Sequence, residues 1–79
     1  MSGKDYAKIG NAFNSALEGY VIEPAFSTAI HIMQTGGIKP WDEMVWLCVE
    51  QFLNELSEPM SEEAQGQFEY ACALLESNT

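Results

Sequence analysis

Residues 40–57 read PWDEMVWLCVEQFLNELS, with a proline at the head, two carboxylates close behind it and Pro59 just past the end. Proline suits the first turn of a helix, Asp42 and Glu43 complement the positive end of the helix dipole, and Pro59 opposes continuation. The pattern predicts a helix from Pro40 to near Ser57. At about 100° per residue its apolar side chains (Trp41, Met44, Val45, Trp46, Cys48, Val49, Phe52, Leu53 and Leu56) fill an arc of roughly 200°, against ~100° for the stripe of a surface helix. An arc that wide predicts the central element of the fold.

Downstream, Ser61 is a good N-cap, Glu62 and Glu63 follow it, and Ala64, Phe68, Ala71, Cys72, Leu74 and Leu75 recur on one face to about Ser77. Only a few residues around Pro59 join this helix to the preceding one, so the two should form an antiparallel hairpin. Cys48 and Cys72 then lie at similar heights on the shared interface, where two reduced small hydrophobes are the simpler expectation and a disulfide is geometrically conceivable. Upstream, Tyr6, Ile9, Phe13, Ala16, Leu17 and Tyr20 have helical spacing behind Ser2 with Asp5 three residues on, a capping-box pattern. This predicts a first helix over about 3–18, stopped by Gly19. Pro24 opens a second helix carrying Phe26, Ala29, Ile30 and Met33, and Gly36-Gly37 ends it. Tyr20-Val21-Ile22 is the sole candidate strand, too short and solitary to support a sheet. The expectation is an all-α chain, one domain over residues 1–79, folded as a small bundle of about four short helices. An α+β arrangement using residues 20–22 is the alternative.

Twelve Asp and Glu stand against three Lys and no Arg, a formal charge of −9. Lys4, Lys8 and Lys39 balance Asp5, Glu18 and Glu23, so the net charge falls entirely on residues 40–79. Such a field repels phosphate backbones and anionic membranes, which predicts no direct nucleic-acid binding and no membrane attachment, and leaves a basic protein surface as the partner. The N-terminus lacks an apolar signal core and no run approaches the ~18 apolar residues of a membrane span. A cytoplasmic address is expected.

Catalytic, metal and cofactor chemistry lack their residue sets. One histidine, two distant cysteines and no Asp-rich glycine loop make no metal site. His31, the sole imidazole, reads as a partly buried or boundary residue rather than a base, and no phosphate-cradling glycine loop occurs. Carrier proteins with a phosphopantetheine arm share this length and acidity, but their Asp-Ser-Leu turn is absent: the corresponding segment is Gly36-Gly37-Ile38-Lys39-Pro40. A non-enzymatic protein is expected.

Glu62, Glu69 and Glu76 recur every seven residues, ~10 Å apart along one helix face, and Glu43 and Glu50 repeat the interval. Such a row resembles the charge pattern of phosphates and suits a basic groove; it is also what the outer face of an amphipathic helix looks like. Leu47 falls on the polar side of its helix as an exposed anchor, and Trp46 sits at the margin of the apolar arc beside Leu53. The leading expectation is an acidic inhibitor or modulator of a basic, nucleic-acid-handling partner, of the kind phages and mobile elements direct at host defence, acting as a nucleic-acid mimic. The alternative is a homodimeric or adaptor module that binds through an apolar face around Trp41, Trp46 and Leu53.

Overall fold

The computed structural model describes residues 5–36 and 42–77. Four helices follow one another: α1 (Tyr6–Ala16), α2 (Pro24–Gln34), α3 (Asp42–Glu55) and α4 (Glu62–Glu76). No strand occurs among the described residues, and Tyr20–Ile22 is a connection. Ser2, Gly37, Pro40 and Trp41, assigned above to helix ends or to the apolar arc, lie outside the described residues.

Local chemistry sets the helix ends. Asp5 caps α1: its carboxylate accepts the Lys8 backbone N–H at 3.1 Å, placing negative charge at the dipole's positive end. The helix closes at Ala16, two residues before the expected end, and Gly19 takes the left-handed conformation (φ 89°) that turns the chain. Pro24 occupies the first turn of α2, and Gly36 (φ 117°) terminates it. The Ser61 hydroxyl accepts from the Ala64 N–H at 3.2 Å and starts α4 as expected.

Direction follows from two ties. The Tyr6 hydroxyl donates to Asp42 Oδ1 at 2.6 Å, joining the N-terminal ends of α1 and α3. The Ser61 N–H donates to the Tyr20 hydroxyl at 3.0 Å, joining the start of α4 to the segment after α1. Hence α3 runs parallel to α1, and α4 runs antiparallel to both. The core is a closed circuit of the chain's four phenylalanines, one per helix: Phe13–Phe26 at 5.7 Å between ring centres, Phe26–Phe52 at 6.2 Å, Phe52–Phe68 at 5.6 Å and Phe68–Phe13 at 5.6 Å. Tyr20 adds an edge-on contact to Phe52. These separations are those at which aromatic pairs add ~0.5–1.5 kcal/mol beyond burial alone.

The centre of the bundle is α1, not α3. α1 packs closely against both α4 and α2, α3 approaches α2 less closely, and the α3–α4 edge is looser still. Side-chain size explains the reversal. α1 buries Gly10, Ala12 and Ala16 beside Ile9 and Phe13, and small residues let two neighbours come near. At Gly10 a Cβ would stand 2.9 Å from the Gln34 backbone nitrogen. The wide apolar arc of α3 is only partly covered: Val45, Val49 and Phe52 are buried, whereas Met44, Leu47 and Leu53 are exposed.

Candidate functional site

The loose α3–α4 edge leaves a groove of about 500 Å³. Antiparallel helices joined at Pro59 meet at its bottom through Phe52 and Phe68 and part above it. Leu56, Met60, Phe68 and Cys72 form an apolar floor, and Leu53, 47 % exposed, stands on the α3 bank. Gln65, Glu69, Ala73 and Glu76 line the α4 bank. Gln65 Nε2 donates to Glu69 Oε2 at 3.1 Å, which fixes the first of the two carboxylates.

The cysteine in this groove registers its electrostatics. Burial first, and then the Glu69 and Glu76 carboxylates, push the Cys72 thiol up to about 11. The same negative potential that disfavours a thiolate favours a cation. Cys48 does not share this surface as the sequence suggested. It lines a second groove of about 220 Å³ between α2 and α3, beside Ile22, Glu23, Phe26 and Glu55, where burial and the Glu23 carboxylate raise its pKa too. Both thiols are free.

The expected partner-facing residues divide among surfaces. Glu62, Glu69 and Glu76 are all exposed, but a seven-residue interval drifts by ~20° per repeat on a straight helix. The row therefore turns as it descends. Glu62 sits beside Glu63, Gly66 and Tyr70 on the outer flank, whereas Glu69 and Glu76 reach the groove. Glu43 and Glu50 are exposed on α3, roughly 60–80° around the helix from Leu53 by the ~100° step. Leu47, 65 % exposed, lies opposite the buried Val45, Val49 and Phe52. Trp46 is half-buried against the core edge and shares the Leu53 side of α3. His31, expected at the boundary, is exposed in the last turn of α2.

Of the floor residues, Leu56 and Phe68 read as ordinary core in the sequence, and Met60, in the connection after Pro59, carries no signal there. Tyr6 and Tyr20, given no role there, are the two ties that set helix direction. Among the described residues, no group of three or more His, Cys, Asp or Glu is placed to hold a metal ion, and no helix is long and apolar enough to cross a membrane. Neither a protein-family model, nor a curated protein, nor a solved structure matches this chain.

Proposed function

We propose that this chain is a non-enzymatic acidic binding protein that inhibits or modulates a basic, nucleic-acid-handling partner, in the manner of a phage or mobile-element antagonist of host defence. The observation that supports the reading is the adjacency of Glu69 and Glu76 to the apolar groove of α3 and α4. Carboxylates steer a basic partner into encounter, and an apolar surface beside them supplies the contact area from which affinity comes. Glu62, Glu43 and Glu50 extend the negative field beyond the groove, and Leu47 offers a further apolar contact on the outer face of α3. Steering into a site that otherwise holds phosphate makes the chain a competitor of nucleic acid. The alternative, an assembly or homodimer module working through Trp46 and Leu53, is favoured by the exposure of Met44, Leu47 and Leu53 on one helix.

Salt separates the two. Tagged protein is used to capture partners from nuclease-treated host lysate, washed in rising salt and analysed by mass spectrometry. The proposed reading expects a basic nucleic-acid-binding protein that elutes as the Debye length contracts from ~10 Å at 0.1 M to ~3 Å at 1 M, and that added duplex DNA or RNA displaces. Only a salt-resistant complex, or only the chain itself, would favour the assembly module.

A further inference from the structure

Resting on that reading, we propose that the α3–α4 groove is the seat of a basic amphipathic helix of the partner, with its apolar side chains on Leu53, Leu56, Met60 and Phe68 and its lysines or arginines against Glu69 and Glu76. The shape of the groove is the first argument. Its α4 bank runs from Gln65 to Glu76, a rise of ~16 Å at ~1.5 Å per residue, or three helical turns. Glu69 and Glu76 stand ~10 Å apart along the axis, the same interval that separates residues i and i+7 of a helix lying alongside. Two cations at that spacing meet both carboxylates, while side chains at i+3, i+6 and i+10, turned about 60–120° around the helix from them, face the floor.

Charge selects this occupant over others. A second copy of the chain would bring another charge of −9 and, groove on groove, would oppose like carboxylates. A compact polar ligand needs fixed buried partners, and among the described residues no polar or charged side chain is buried. A cationic helix needs only an apolar floor and a negative rim, and the groove has both.

The test titrates the full-length 15N-labelled chain with a synthetic amphipathic peptide of about five helical turns, built of leucine and lysine, alongside a shuffled peptide of identical composition and a leucine–glutamate counterpart. Shift changes confined to residues around Leu53–Met60 and Gln65–Glu76 are expected with the first peptide alone. Glu69→Lys with Glu76→Lys should weaken it about tenfold, two rim pairs having been turned repulsive. Ala73→Trp should abolish binding, since Ala73 is an exposed groove residue whose enlargement plugs the groove without entering the core. Circular dichroism confirms that both variants remain helical.

Equal binding of the shuffled peptide, shifts spread over the whole acidic surface, unchanged affinity in Ala73→Trp, or no response at millimolar peptide would each overturn the helix seat. A dimer that Ala73→Trp dissociates would assign the groove to a second copy instead. If Ala73→Trp still captures a basic nucleic-acid-binding protein from lysate in a salt-sensitive manner, the helix seat fails and the acidic-modulator reading stands. If the unaltered chain captures no such protein, that reading fails on its own.

Discussion

Two glycines in helices respond in opposite directions to the same added methyl group. Gly10 lies where α1 and α2 touch, and the new Cβ would meet the Gln34 backbone nitrogen at 2.9 Å and Met33 Cβ at 3.0 Å. A backbone atom cannot rotate away, so the overpacking cost of ~1–3 kcal/mol outweighs the ~1 kcal/mol gained in helix propensity. Gly66 on α4 has open space around it, and there the propensity gain stands alone. Urea denaturation should therefore show Gly10→Ala destabilised and Gly66→Ala stabilised by about 0.5–1 kcal/mol. A stabilised Gly10→Ala would mean that α1 and α2 are farther apart than described. Neither sign is legible in the sequence, where both residues are glycines inside helical patterns.

Tyr6 gives a second prediction at this scale. Burial, then the hydrogen bond and charge of Asp42, push its phenol from 10 up to about 12. The folded form thus holds its proton after the unfolded form has released it. The contribution is complete below pH 10 and is lost as pH rises through 12. Tyr6→Phe should remove this part of the alkaline loss in a pH-dependent denaturation series, leaving the portion from Cys72, whose thiol rises from 9 to about 11 and loses its contribution across that earlier window. Identical alkaline profiles for Tyr6→Phe and the unaltered chain would exclude the Tyr6–Asp42 tie as their source.

Among the elements, α2 and α4 match the sequence reading because single residues with strong local chemistry mark them: Pro24 and Gly36 bound one, and the Ser61 hydroxyl opens the other. Ser61→Ala should cost about 1 kcal/mol of stability by equilibrium denaturation, and no loss would mean that the Tyr20 tie alone holds that end. The wide apolar arc of α3 predicts a central helix only if apolar arc equals burial. Burial also depends on how near a neighbour can come: Gly10, Ala12 and Ala16 admit close neighbours to α1, whereas α3 buries only Val45, Val49 and Phe52 of its wide arc. Its backbone should accordingly open more readily. Native-state hydrogen exchange is expected to show lower protection across Asp42–Glu55 than across Ile9–Ala16, and equal protection would restore α3 to the cooperative centre.

At the scale of the whole molecule, charge was fully legible in the sequence and the groove was not. Counting carboxylates places the net charge on residues 40–79, but the groove exists only because the edges of α3 pack more loosely than those of α1, the α3–α4 edge most of all, a consequence of side-chain volumes across four helices at once. The two features together make a salt test with opposite signs. A charge of −9 on an 8.8 kDa bundle repels itself, so screening should stabilise the free protein. The same screening removes the attraction that draws a cationic helix to Glu69 and Glu76. Raising salt from about 0.05 to about 0.5 M should therefore raise the Tm of the free chain while weakening its hold on a basic peptide, and the rise in Tm that bound peptide confers should shrink correspondingly. Both quantities come from one set of thermal melts with and without peptide. A peptide-induced rise in Tm that is indifferent to salt would place the binding free energy in the apolar floor alone and leave Glu69 and Glu76 with no part in it.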